Sequence, residues 1–277
     1  MNLERVIDGI EQASQIKHEP GDYYENGLLH CGKCGTPKQI EIELFGKVRK
    51  PLCLCKCAAE RRDREAAETK QREKMQRISE MRRLGFPDSD MQAMTFAADD
   101  GKTPKLSTIA HNYVDNFGEM RQRSKGLLLY GDVGTGKTFL AACIANALID
   151  RGYPCMVTNF ARLANAIGGT FDGKQAYLDG LNKYELLVID DLGAERETEY
   201  MGEMVHNIID SRYRSGKPMI ITTNLTAKEM TNANETRRQR IYSRLFEMCV
   251  PVEVIGEDRR KAKLREGFKD VSGLLGL

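Results

Sequence analysis

The apolar positions of this chain change their spacing partway along. From about residue 105 to residue 256, short apolar runs alternate with helix-forming stretches. The runs 127–130, 154–158, 186–190, 219–223 and 250–255 are predicted strands, because unbroken apolar runs of this length suit strands covered on both faces. Between them lie segments such as Phe139 to Leu148, rich in the helix formers Ala141, Ala142, Ala145 and Ala147. A β–α alternation of this kind predicts an α/β domain: a parallel sheet with helices on both faces, joined by right-handed crossovers. Upstream the pattern is different. Residues 1–24 are a polar, helical start, and residues 58–84 are charge-dense and predict one exposed helix. Gly85-Phe86-Pro87-Asp88 breaks that helix. The expected division is an N-terminal module with its charged helix (1–84), a linker (85–104), the α/β domain (105–265) and a tail (266–277).

Two of the strands end in chemistry. After 127–130 comes Gly131-Asp132-Val133-Gly134-Thr135-Gly136-Lys137-Thr138, which fits G-x-x-x-x-G-K-[ST] between a strand and a helix. Glycines there let backbone N–H groups wrap a phosphate at a helix N-terminus, whose dipole favours negative charge. Lys137 would contact the outer phosphates and Thr138 would offer its hydroxyl to Mg²⁺. The run 186–190 ends in Asp190-Asp191. Asp190 is expected to orient the magnesium ion, and Asp191 to polarise an attacking water. Each segment supplies a part of triphosphate–magnesium chemistry that the other lacks. A third strand ends in Asn224, in reach of a γ-phosphate or its water. A basic amphipathic helix follows, with Arg237, Arg238, Arg240 and Arg244. From it Arg244, then Arg240, is the candidate for an arginine supplied to a neighbouring subunit's triphosphate. Arg259 or Arg260, past the last strand, would close on the nucleotide of their own chain.

Composition adds less. The 277 residues carry 42 basic and 40 acidic side chains, a net charge of +2, so any nucleic-acid contact must come from local patches. No apolar run approaches the ~18 residues of a membrane span, and the N-terminus is polar, so a cytoplasmic protein without a membrane partner is expected. Eight cysteines in such a chain point to metal or buried thiols before disulfides. Five of them lie in residues 28–57. Cys31-Gly32-Lys33-Cys34-Gly35 is a knuckle, and Cys53, Cys55 and Cys57 form a second group. Two thiolates from each would make a tetrahedral Zn²⁺ site. The expected ligands are Cys31, Cys34, Cys55 and Cys57, with Cys53 nearby or substituting and His30 a weaker substitute. Cys143, Cys155 and Cys249 are expected core residues.

Taken in order, Gly131–Thr138, Ile189-Asp190-Asp191-Leu192-Gly193, Ile221-Thr222-Thr223-Asn224, Ser243-Arg244-Leu245 and Gly256-Glu257-Asp258-Arg259-Arg260 resemble the AAA+ ATPases of the DnaC/DnaI helicase-loader and IstB-like group. The resemblance covers roughly residues 85–265; the cysteine module resembles the zinc-binding domain of such loaders by layout. It implies a P-loop NTPase with a five-stranded parallel sheet in order 5-1-4-3-2, using ATP, Mg²⁺ and Zn²⁺. It further implies an N-terminal grip on the replicative hexameric DNA helicase and self-association through the AAA+ domain. Single-stranded DNA would be bound there, and Asn159 to Gly180, with Arg162, Lys174 and Tyr177, is the segment that would face it. Many AAA+ proteins carry Asp-Glu where this chain has Asp190-Asp191; the shorter side chain implies slow hydrolysis, suited to a switch. Three other readings compete: an IstB-type transposition helper acting on duplex DNA, a small-molecule P-loop kinase, and a zinc adaptor without catalysis.

Overall fold

The computed structural model describes residues 18–168, 173–196 and 198–261. The chain divides between residues 75 and 76 into two compact units. The polar start before residue 18 and the tail from residue 262, with Lys263 and Arg265, lie outside the described residues.

The first unit is built from two hairpins. Strands β1 (Tyr23–Glu25) and β2 (Leu28–His30) pair antiparallel, as do β3 (Ile42–Leu44) and β4 (Lys47–Arg49). Asn26-Gly27 turns the first hairpin with both residues at positive φ, 53° and 75°, the twist that a two-residue hairpin favours. Residues 18–24, expected at the end of a helix, instead form a turn and enter β1. The core here is small: Leu29, Cys31 and Cys55 are buried, and Gln39 accepts the Leu29 N–H from beneath.

Helix α1 (Lys56–Gly85) is mostly exposed, and its buried residues are Ile78 and Gly85. The second unit begins within it. It continues through α2 (Ser89–Ala93), a 3₁₀ turn at Phe96–Ala98, α3 (Pro104–Asp115) and α4 (Phe117–Gln122). Then come β5 (Gly126–Tyr130), α5 (Lys137–Asp150), β6 (Cys155–Asn159), α6 (Phe160–Gly168) and α7 (Lys174–Leu181). The unit ends with β7 (Leu186–Leu192), α8 (Glu199–Ser215), β8 (Met219–Thr223), α9 (Ala227–Thr231), α10 (Thr236–Met248) and β9 (Cys249–Glu253).

Five parallel strands lie in the order β6-β7-β8-β5-β9. Counted within this sheet from the β9 edge, that is 5-1-4-3-2. Side chains alternate between its faces with period two, and both faces are apolar. Leu127, Leu129, Val157, Val188 and Ile220 enter one core with α3 and α5. Leu128, Leu187, Ile189, Met219 and Ile221 enter the other with α6, α7, α8 and α10. Arg212, buried on α8, ties the strand starts together by donating to the carbonyls of Tyr184 (3.0 Å), Glu185 (3.1 Å) and Pro218 (2.7 Å).

Segment 85–104 is not a free linker. Met91, Met94 and Phe96 pack on the first core, and buried Asn146 of α5 donates to the carbonyls of Met91 (3.0 Å) and Met94 (2.9 Å). An amide inside α5 is thus spent on holding this segment. Among the described residues no helix is long and apolar enough to cross a membrane.

Candidate nucleotide site and cysteine centre

Strand β5 delivers the chain to the phosphate loop at the carboxyl edge of the sheet. Gly134 and Gly136 sit at φ 81° and 100°, a left-handed backbone that a Cβ would strain. Gly136 is the N-cap of α5 and has no side chain to cap it, so the first N–H groups of the helix face the loop. Lys137 is buried; its ammonium donates to the carbonyls of Gly131 (2.8 Å) and Asp132 (2.7 Å). Burial pushes its pKa down, and the carboxylates of Asp191, Asp190 and Asp132 pull it back up.

Asp190 and Asp191 differ in setting. Asp190 is half-buried at the end of β7, paired in register with Asn159 of β6. Its Oδ1 accepts from the hydroxyls of Thr138 (2.8 Å) and Thr222 (2.5 Å). Burial raises its pKa against the lowering effect of those two hydroxyls. A carboxylate held out of water beside a threonine hydroxyl suits a hard divalent cation. Asp191 is exposed, with φ at 57°. It occupies a β-bulge: Ile189 pairs with Ile221 and Leu192 with Thr223, so β7 has one residue more than β8 over this span.

A cleft of about 490 Å³ gathers Gly134, Lys137, Thr138, Asp191, Asn224 and Arg260. Arg259 also lines it. Its N–H donates to Gly134 O (3.0 Å), and its guanidinium bonds Thr103 Oγ1 (2.9 Å) and pairs with Asp100 (3.3 Å). The opposite wall is Met94, Ala98, Asp100 and Lys102, from the segment expected to be a linker. Sequence reasoning missed this wall; three large apolar residues close together, Met91, Met94 and Phe96, were its one signal. It also missed Thr222, whose signal was a pair of hydroxyls ending an apolar central strand.

Neither Arg240 nor Arg244 lines this cleft. Arg244 is held by its own chain. It pairs with the buried Asp210 (2.5 Å), donates to His206 Nε2 (3.1 Å) and lies 5.7 Å from the Tyr213 ring centre. Burial and the Arg244 charge push the His206 pKa down, in keeping with a neutral ring that accepts. Arg240 is exposed and lines a separate surface cleft with His206 and Thr236. The cations expected to face DNA are paired internally: Arg162 with Asp88 (2.9 Å) and Lys174 with Glu203 (3.6 Å). Tyr177 is half-buried against the second core.

In the first unit the sulfurs of Cys31, Cys34, Cys55 and Cys57 all lie within 4.8 Å of one another. Cys53 points elsewhere, its Sγ 3.5 Å from Pro37 O, and His30 pairs with Glu25 at 3.0 Å. Hydrogen bonds from the Thr36 hydroxyl and the N–H groups of Cys57 and Thr36 draw the Cys34 thiol down to about 5. The sulfurs of Cys55, Cys31 and Cys34 push Cys57 up to about 12. Four sulfurs this close resist common ionisation unless a cation sits among them, and the donor set suits tetrahedral Zn²⁺. Cys143, Cys155 and Cys249 are buried, with thiols raised by desolvation, as core residues are.

Comparison with known proteins agrees with this geometry. The chain is 24% identical to the replicative helicase loader DnaI of Bacillus subtilis strain 168 over 277 aligned residues, which cover 94% of this chain and 83% of that protein. It is 32% identical to the replicative helicase loader DnaC of Escherichia coli strain K12 over 126 residues, 44% of this chain and 50% of that one. The chain therefore spans only about half the length of DnaC. The crystal structure of DnaI shares the fold, with a TM-score of 0.52, 23% identity and coverage of 62% of this chain and 96% of that one. The family described as IstB-like ATP binding protein matches residues 58–267, and the chain belongs to that family.

Proposed function

We propose that the protein is an ATP-dependent loader of the replicative DNA helicase onto single-stranded DNA. The observation that carries this is one cleft holding the phosphate loop, Asp191 and Asn224, in a chain that aligns along 94% of its length with a named helicase loader. The residues divide the work. Gly131 to Gly136 and the first turn of α5 cradle phosphate, and Lys137 turns from its loop carbonyls to the outer phosphates. Thr138 and Asp190 would hold magnesium, which when bound would supply positive charge against the triphosphate. Asp191 takes the proton of the attacking water, with Asn224 orienting that water. Arg259 and Arg260 close the cleft from the same chain. Hydrolysis is slow, below the ~10 s⁻¹ typical of enzymes, and serves as a switch.

Arg244 and Arg240 serve a neighbouring subunit, which is supported by their placement away from their own cleft. Asp210 would hold the Arg244 fork in one aim. The four clustered cysteines would hold Zn²⁺, which when bound would contribute folding energy to the small first unit. About one zinc per chain is expected by elemental analysis. Cys53→Ser should keep it; Cys34→Ser should lose it and unfold the hairpins, as read by circular dichroism.

The deciding experiment mixes the full chain with its host's replicative helicase and circular single-stranded DNA. Helicase should become fixed on the circle with ATP and not without it. Failure to form any complex with the helicase would end the loader reading. The competing reading is an IstB-type transposition helper, which would prefer duplex DNA and ignore the helicase.

A further inference from the structure

The bulge in β7 lies within a parallel strand pair, where bulges are rare. A bulge leaves backbone groups without ladder partners, and here side chains take their place. Thr222 alone stands opposite the two residues of the bulge, Asp190 and Asp191. Its hydroxyl donates to Asp190 Oδ1 (2.5 Å) and accepts the Asp191 N–H (2.9 Å). One hydroxyl thereby fixes the direction of one acid and the backbone of the other. Thr223 secures the exit: it donates to Leu192 O (2.7 Å) and accepts the Leu225 N–H (3.1 Å). Both threonines are fully buried in β8, the strand that ends at Asn224.

We propose that Thr222 is a positioning residue for nucleotide hydrolysis. It holds the Asp190 carboxylate toward the Thr138 hydroxyl and holds Asp191 at its left-handed backbone, so that both acids meet the triphosphate in a fixed geometry. It does not line the cleft. Its position also links the strand carrying Asn224 to both acids, so the three groups keep one spacing. The proposal rests on the ATPase reading above.

Thr222→Val is nearly isosteric and removes only the hydroxyl, whereas Thr222→Ser keeps it. Three quantities separate a positioning role from a packing role in the full chain: nucleotide affinity in EDTA, the Mg²⁺ concentration giving half-maximal binding of a fluorescent ATP analogue, and kcat. Thr222→Val should bind the analogue in EDTA like the parent. Its Mg²⁺ midpoint should rise about tenfold and its kcat fall 10- to 100-fold, the scale of loss from an ångström of misplacement. Thr222→Ser should recover most of both, even though it lacks the methyl group. Parent-like magnesium midpoint and kcat in Thr222→Val would overturn the proposal. So would a Ser variant as impaired as Val at parent-like thermal stability, since packing would then be the cause. If Val fails to fold, the Ser variant decides: a Ser variant with parent-like midpoint and kcat supports the role, and an impaired one overturns it. A parent chain that binds no nucleotide at all overturns the ATPase reading instead, and this proposal falls with it.

Discussion

Lys137→Met should remove ATP hydrolysis, with a loss of about 10³-fold or more, while leaving the protein folded. The loss has two sources. A charge-assisted hydrogen bond to phosphate is worth about 1.5–3 kcal/mol in binding. A preorganised donor to developing charge adds roughly 2.7–4 kcal/mol in the transition state. The fold should survive because the ammonium is a cost to the free protein, as its lowered pKa indicates: burial disfavours its charge more than Asp191, Asp190 and Asp132 favour it. A base whose folded pKa lies below its unfolded value destabilises the native state while protonated; that cost is full below the folded pKa and fades as pH rises from there to the unfolded pKa. Methionine keeps the stem and discards the charge. Thermal melting at pH 7 should therefore be unchanged or raised, while binding of a fluorescent ATP analogue is lost. A variant that melts well below the parent would show that the lysine holds the loop rather than the phosphate.

How much of this was legible in the sequence depends on how local each feature is. The phosphate loop is a contiguous backbone device, so its glycines, lysine and threonine show it directly. The strands were legible because Leu127–Tyr130, Leu186–Asp190 and Met219–Thr223 are covered on both faces and leave no polar alternation. Segment 85–104 was misread because its three anchors, Met91, Met94 and Phe96, are too few to show a period. What holds it, Asn146, is more than 50 residues away. The bulge was hidden for a different reason. Asp190-Asp191 shows two acids, but only the pairing with β8 reveals that the second is an extra residue. Thr222 was hidden by its own chemistry, since threonine in a strand is ordinarily a β-branched filler. The partners of Arg244 could not be read either, because Asp210 lies on another helix. The five N-terminal cysteines were legible as metal-type spacing; it took the chain's path into α1 to turn Cys55 and Cys57 inward and Cys53 away.

The acid at position 191 is where backbone and chemistry meet, and substitutions there should separate the two. Asp191→Asn should lower hydrolysis about 10²- to 10³-fold, within the range for losing a general base. Asn is at home in the left-handed region, so the bulge and the Thr222 contact stay in place. Affinity for MgATP should hold or rise, because one negative charge leaves the neighbourhood of the triphosphate. Asp191→Glu is the sharper test. Reach alone predicts that the longer acid would speed hydrolysis. The backbone argues otherwise. At φ 57° the short Asp side chain is tolerated, whereas Glu pays about 1–2 kcal/mol for that conformation. In a unit of this size that lowers the melting temperature by roughly 2–8 °C. If the bulge persists, Glu overshoots the site that Asp fills; if it relaxes, the Asp191 N–H leaves Thr222 and Asp190 loses its aim. Either way hydrolysis should fall or stay level. A Glu variant with tenfold faster turnover and an unchanged melting temperature would mean that the bulge is incidental and that side-chain length alone sets the rate.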